Sequence, residues 1–599
     1  MDLQAMTEPK KPDLPESVRK ILEDAEAQRR AYAGRPDPLP IDEPEPDEDV
    51  LELSGPEILE ECAALPETDI GNANRLLTRY GRYLRHVTHV GWHGFDGQRW
   101  MEDASGAVVR RFAHRTAELI DDEAILLDCS DREKATIEAG RLAREEIKVL
   151  GRKDKDWDAE KLEKLEELTR AVDAMDKVEK ERAGRMSSRH SHAKSAAGTS
   201  KINNMLCEAT PYCSLDVKEL NTDLYAINTN SGTLRFFCRL ENGARRWWVK
   251  LDKHRPEDLI SKMAEVDFDR NADCPQFREF FKEIMPNVEI RNFLQRYCGY
   301  CLLGLTGEQC LVFFYGAGRN GKSTFVDLMV KILGDYAASM SIDSFSGDKR
   351  KSGAEATPDL ARLPGVRLVA ASEPEMGVQL KDALIKSLTG GEPMAVRKLN
   401  QDFFELIVQF KIMLSGNHKP VIKDDSDGIW RRVKLVPFEV QIAEESVDRD
   451  LPRKLYEERN GIFRWMVEGA ISYLEGGLQE PQEIKAATAE YREESDPIGT
   501  FVRHACIVTG LEADKESPRE LHECYKRYAL QEGLPEFQQS TFSRRFPEKT
   551  KKGWKGIDGH MYNFWKAKSS NTIYCGIRVK AEWRASAPSG GPDWEPSPF

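Results

Sequence analysis

The stretch Gly316-Ala-Gly-Arg-Asn-Gly-Lys-Ser323 constrains this chain more than any other feature. It fits the spacing G-x-x-x-x-G-K-[ST], and its flanks fit as well. Before it, Cys310-Leu-Val-Phe-Phe-Tyr315 is a short, apolar, β-prone run of the kind that fills a buried parallel strand. After it, residues 325–334 carry apolar side chains at helical spacing and end in glycine. Strand, loop and helix thus stand in the order that phosphate binding needs. Gly316, Gly318 and Gly321 let backbone N–H groups turn inward, and Lys322 is placed to reach the outer phosphates of a nucleotide. Ser323 is placed for a magnesium ion, with Asn320 and Thr324 completing the loop.

Further apolar runs end in residues suited to the same chemistry. Arg367-Leu-Val-Ala-Ala-Ser-Glu373-Pro-Glu375 reads as a strand closing in two carboxylates. At the C-terminal edge of a parallel sheet, Glu373 is the candidate for holding magnesium and polarising an attacking water, with Glu375 assisting. Phe410-Lys-Ile-Met-Leu-Ser-Gly-Asn417 reads as another strand, whose terminal amide can orient that water. Gly428-Ile-Trp-Arg431-Arg432 then precedes a strand-like run at 433–438. One of the two arginines is placed to reach a phosphate bound by a neighbouring subunit, a contact typically worth ~10³–10⁵ in rate. Taken singly, each feature has an ordinary reading: exposed acids, a turn asparagine, a surface ion pair. Their order carries the expectation.

That order closely resembles superfamily 3 DNA helicases. It runs Gly-Ala-Gly-Arg-Asn-Gly-Lys-Ser, Ala-Ser-Glu-Pro-Glu, Ile-Lys386-Ser-Leu-Thr-Gly-Gly, Ser-Gly-Asn417, Trp430-Arg-Arg. The nearest branch is the phage and plasmid primase–helicase family, to which poxvirus primase–helicases are similar. The likeness extends upstream through Thr68-Asp-Ile-Gly-Asn-Ala, Gly91-Trp-His-Gly-Phe-Asp-Gly-Gln-Arg-Trp100, Ala272-Asp-Cys-Pro-Gln-Phe and Phe293-Leu-Gln-Arg-Tyr-Cys-Gly-Tyr. The resemblance implies a P-loop AAA+-like core, ATP and Mg2+ as cofactors, and a hexameric ring with ATP sites between subunits. It also implies 3′-to-5′ movement on single-stranded or forked DNA. The segment between Lys386 and Asn417 is expected to form a hairpin in the ring's pore. There Arg397 and Lys398, close to Phe403 and Phe404, would meet the strand, with Lys386 nearby.

Family members often carry a primase domain, whose chemistry needs paired aspartates beside a histidine. The D-x-D pairs here (Asp47/Asp49, Asp154/Asp156/Asp158, Asp267/Asp269, Asp425/Asp427, Asp448/Asp450) sit in poor places for it, so no primer synthesis is expected. A separately encoded primase or replication initiator is the expected partner. Two rivals use the same motifs. A small-molecule P-loop kinase is disfavoured by the arginine pair and the long flanking regions. An ATP-regulated origin-binding or loading factor would need no processive movement.

Length and composition set the frame. At 599 residues the chain exceeds one core. The net charge of −14 argues against a protein that coats nucleic acid generally, though not against a local basic channel. No apolar stretch approaches the ~20 residues of a membrane helix. The N-terminus lacks a secretory pattern and the 12 cysteines lack a repeating frame, so a cytoplasmic setting is expected, and the resemblance to phage and plasmid proteins implies a bacterial host. The expected organisation is an acidic, Pro-rich segment over 1–65, then an α+β helicase-associated region over 66–285 with charged helices at 131–185. An α/β ATPase domain over 286–495, a winged-helix-like domain over 496–583 and a tail over 584–599 follow. In that outer domain Arg544, Arg545, Lys551 and Lys552 are the candidate DNA contacts.

Overall fold

A computed structural model describes residues 55–127, 129–346, 357–372, 378–397, 402–422, 424, 426–568 and 572–584, and the backbone of 41–42. The fold is mixed α/β around a parallel sheet. Its strands are β1 (Leu311–Tyr315), β2 (Ala337–Ser341), β3 (Leu368–Ser372), β4 (Lys411–Gly416) and β5 (Val433–Pro437). They lie in the order β2-β3-β4-β1-β5, every pair parallel. β4 is buried along its whole length, as a central parallel strand covered on both faces should be. Four of the five were legible as apolar runs. β2 was not, because Ala-Ala-Ser-Met-Ser is small and polar and occupies the sheet's edge.

The helix after the loop, α1 (Lys322–Leu333), is seated by Phe325, whose ring lies 5.4 Å from Phe281 and 6.4 Å from Phe277. The aromatic-rich stretch 277–305 forms two helices, Pro275–Ile284 and Val288–Tyr300. Met285-Pro286-Asn287 breaks it, and Asn287 caps the second by accepting from the N–H groups of Glu289 and Ile290. One hydrophobic cluster runs from Ala226 to Ile484, so the core is continuous across 285/286. Helices Val288–Tyr300 and Arg459–Gly476 cross at near backbone contact. A Cβ on Gly299 would lie 2.0 Å from the Ala470 nitrogen, and one on Gly469 2.1 Å from the Gln295 oxygen.

Two buried cations fasten this helix layer to the N-terminal edge of the sheet. Arg367 donates to the carbonyls of Leu302 and Asp223 and lies over the Tyr336 ring. Lys411 donates to the carbonyls of Leu303, Leu305 and Gln409, with its ammonium 4.6 Å from the Tyr300 ring centre. Burial lowers the Lys411 pKa to about 7. A lysine depressed in the folded state costs stability while both states are protonated, and the cost fades as pH rises from about 7 towards the unfolded value. The stability of Lys411→Met relative to wild type should therefore fall by about 1.4 kcal/mol per pH unit above 7, whatever the constant offset between them. Paired denaturant titrations between pH 6.5 and 9 measure this; a pH-independent difference would remove the charge from the account.

The charged region expected over 131–185 forms two antiparallel helices, Asp131–Leu150 and Ala159–Ala196, bridged by Arg185–Glu133 at one end and Lys164–Glu146 towards the other. The second helix continues well past 185. Most of Met186–Ser200 is helix too, anchored by Arg189. That residue, with Arg75 and Arg79, surrounds the fully buried Glu123 carboxylate. Tertiary burial of one acid among three guanidinium groups is not visible in local sequence.

At the other end, helices Pro497–Ala505, Pro518–Gln531 and Gln539–Arg545 pack with short strands around a separate cluster spanning Ile498 to Val579. Ser517 and Glu520 form a capping box at the start of the second helix. Two residues of the basic stretch after Phe546 are interior. Lys549 pairs with Asp496 at 2.9 Å, and the Trp554 indole N–H donates to the Lys549 carbonyl at 2.9 Å. Among the described residues, no helix is long and apolar enough to cross a membrane.

Candidate functional site

The strand ends meet where the glycine loop begins. Gly416 lies opposite Tyr315, Ser415 opposite Ser372, and Pro437 opposite Tyr315 from the other side. The loop leaves β1 at Gly316, whose Cα lies so close to the next segment that a Cβ would sit 2.2 Å from the Phe438 oxygen. It enters α1 through Gly321 at φ +77°, a left-handed turn that favours glycine. Asn320, buried, braces the loop by donating to the carbonyls of Ala317 (2.6 Å) and Phe438 (3.2 Å). Gly318 is exposed at the rim, Ser323 is exposed on the first turn of α1, and Thr324 is half-buried beside it.

Lys322 is the electrostatic centre. It is 5% exposed, and its ammonium donates to the Gly316 carbonyl (2.7 Å), Asn320 Oδ1 (3.0 Å) and Asn417 Oδ1 (3.1 Å). Burial lowers its pKa. Among the described residues all three partners are neutral oxygens, so a buried cation faces the loop without a paired anion. This arrangement suits a polyanionic ligand. The loop and Asn417, 95 residues apart, are thus brought together. Glu373, Glu375 and Lys398 lie outside the described residues; β3, which leads to the two acids, ends in register with β4.

Beside the loop a cleft of about 470 Å³ opens between helix Pro275–Ile284 and residues 442–452. Phe280, Ile442 and Val447 give it apolar walls, and Glu279, Glu283 and Thr324 polar ones. The motif reading did not anticipate this cleft, because its walls come from segments on both sides of the loop with no shared pattern.

The arginine pair divides. Arg432 is buried and committed within its own subunit, donating to Thr389 Oγ1 (3.1 Å), the Gly428 carbonyl (2.5 Å) and Gln309 Oε1 (3.2 Å). Arg431 is exposed. Val433 pairs with Leu311, so both arginines stand at the edge of the sheet opposite the loop. Five strand residues at roughly 3.3 Å each put Arg431 about 16 Å from its own Gly316.

Other predicted contacts also find definite places. Met394–Val396 and Phe404–Leu406 pair antiparallel, and the Arg397 guanidinium lies 5.0 Å from the centre of the Phe403 ring at the mouth of this hairpin. Phe404, opposite Val396 at the turn end, is buried. Lys386 is half-buried, paired with Asp424 and 3.4 Å from Ser426 Oγ. In the outer region Arg544 is exposed, Arg545 lies over the Phe537 ring, Lys551 is 76% exposed, and Lys552 is 4.0 Å from Asp496.

Comparison with known proteins agrees with the motif order. Residues 73–286 match the family described as D5 N terminal like, and residues 314–432 match a family described as of unknown function. A candidate helicase of Acanthamoeba polyphaga mimivirus is 29% identical over 269 residues, 41% of this chain and 28% of that protein. A candidate helicase of Frog virus 3 is 28% identical over 242 residues, 37% of this chain and 25% of that protein. The chain therefore spans little more than a quarter of these relatives' own length. A solved structure of the NrS-1 C-terminal region aligns with 57% of this chain and 82% of its own, at 11% identity and a TM-score of 0.33. The D5-type match over residues 73–286, the order of the motifs and the viral relatives together make this chain similar to D5-like primase–helicases.

Proposed function

We propose that the protein is an ATP-driven DNA helicase of superfamily 3 type, working in replication of a phage, plasmid or integrated element as a hexameric ring. The observation that carries this reading is the buried Lys322 ammonium held between the loop and Asn417 at the C-terminal edge of a parallel sheet. The strand order supports an AAA+-like P-loop core. Bound ATP with Mg2+ would supply the phosphoryl group whose hydrolysis drives movement. Lys322 would neutralise its outer oxygens, Ser323 and Glu373 would hold the metal, and Asn417 would orient the water, with Glu375 assisting. Gly316, Gly318, Asn320, Gly321 and Thr324 would shape the loop around the phosphates, and the neighbouring cleft would take the nucleoside. Arg431, too far from its own loop, would serve the neighbour's site.

The hairpin bearing Arg397 and Phe403 would grip the translocating strand, with Lys398 beside them and Lys386 behind. The outer region would load DNA through a winged-helix-like surface using Arg544, Arg545, Lys551 and Lys552. A separately encoded primase would complete the replication unit in the host cytoplasm.

Forked-DNA strand displacement tests the reading. Wild-type protein should displace the strand with ATP, whereas Arg397→Ala should assemble and bind ATP but lose at least tenfold in displacement and in DNA-stimulated hydrolysis. Binding to the fork without displacement by the wild type would favour the loading factor instead.

A further inference from the structure

A second place where cations and aromatic rings are arranged together lies in the region upstream of the ATPase sheet. Strands Gly232–Glu241 and Ala244–Asp252 pair antiparallel through Asn242-Gly243, with φ of +50° and +81°, the two-residue turn that matches strand twist. Phe237 pairs with Trp248 and Arg239 with Arg246, so these four side chains share one face. The Phe237 and Trp248 rings stack at 5.8 Å, and the Arg239 guanidinium lies 5.4 Å from the Trp248 ring centre. Phe237 is 36% exposed, and the Arg239 and Arg246 side chains 67% and 62%. On the opposite face near the tip, Arg245 is exposed beside Leu240.

Charge separates this hairpin from the rest of the chain. Residues 235–250 hold five cations (Arg235, Arg239, Arg245, Arg246, Lys250) and one carboxylate, Glu241, in a protein of net charge −14. Arg235 is occupied by Asp223, Asp252 and Asp258; towards the tip Arg239 pairs with Glu241 at 2.6 Å and Arg246 lies 3.7 Å from Glu475, both pairs open to solvent, and Arg245 is exposed. The base of the hairpin is held firmly. Trp247 stacks on Tyr225 at 5.5 Å, its backbone N–H donates to Glu475 on helix Arg459–Gly476, and Ile41–Asp42 pairs near the base at Val249–Lys250.

We propose that this hairpin is a contact for single-stranded nucleic acid, with the exposed Phe237 ring of the Phe237–Trp248 stack receiving a base and Arg239 and Arg246, on the same face, following the phosphates. An aromatic face beneath guanidinium groups fits a ligand that alternates flat rings with negative charge. A protein partner of ordinary composition would need acids and apolar groups in the same alternation. The inference rests on the reading that this protein acts on DNA. It adds a grip outside the pore hairpin, fastened to the helix layer over the sheet.

Fluorescence anisotropy with a labelled oligothymidine on the full chain, over a series of salt concentrations, tests it. Phe237→Ala should weaken binding about tenfold with the salt slope unchanged, because stacking carries no counterion release. Arg239→Gln/Arg246→Gln should lower the log–log slope by about 1.4, at ~0.7 per phosphate contact. Phe237→Tyr, which keeps a ring, should bind as wild type. DNA-independent ATP hydrolysis and thermal midpoint should stay at wild-type values in all of them. Wild-type affinity and slope in both the alanine and glutamine variants would overturn the inference alone. Loss of oligomer in Phe237→Ala, seen by sedimentation, would overturn it by assigning the face to a second copy of the chain. A wild-type protein that binds no oligothymidine would overturn the helicase reading together with it.

Discussion

Lys322→Ala should lower ATP hydrolysis by about 10²–10³-fold, the cost of removing one preorganised electrostatic contact to developing charge. The geometry makes this a clean experiment. The ammonium is buried, its pKa is lowered by burial, and its described partners are three neutral oxygens. Removing it leaves no orphaned carboxylate among the described residues, so the fold should survive. Thermal unfolding without nucleotide should be at or above the wild-type midpoint, because a desolvated cation is taken away. Added nucleotide should stabilise the wild type by mass action and the variant much less. Wild-type turnover in Lys322→Ala would remove the loop as the hydrolytic site. A collapse of the midpoint would instead make Lys322 a structural residue.

Arg431→Ala should reduce hydrolysis by about 10³–10⁵-fold while sparing nucleotide binding, if it completes a neighbour's site. Its position at the sheet edge opposite the loop makes action within its own subunit geometrically remote. Mixing Arg431→Ala with Lys322→Ala protein should therefore restore part of the activity, since some mixed interfaces hold one intact loop and one intact arginine. Arg432→Ala serves as the contrast. It removes three internal hydrogen bonds and should cost about 2–4 kcal/mol of stability, and mixing should not rescue it specifically. No recovery in the Arg431 mixture, with subunit exchange verified, would count against a shared site.

The arginine pair also marks where sequence stops being informative. Arg431 and Arg432 are adjacent and chemically identical in the chain, and either could be placed beside a phosphate. Only folding turns one into the interior and leaves the other exposed, because α-helical phase after Asp427 and pairing of Val433 with Leu311 set their directions. The same limit applies to the Lys411 and Arg367 cations and to Glu123, whose partners come from distant segments. It applies to the Phe237–Trp248 hairpin as well, although Asn242-Gly243 between β-prone runs is a local signal that the motif reading passed over.

What the sequence determined by itself was local and periodic. The glycine loop and the apolar runs of β1, β3, β4 and β5 follow from spacing, because backbone geometry repeats over a few residues, whereas the hairpin between Lys386 and Asn417 is implied by the family resemblance. Tertiary structure alone decided the edge strand β2, the continuous core across 285/286, the pairing of Lys386 with Asp424 and the contact of Lys322 with Asn417. Each depends on groups far apart in the chain coming together. Burial and charge, rather than local pattern, set which arrangement is lowest in free energy.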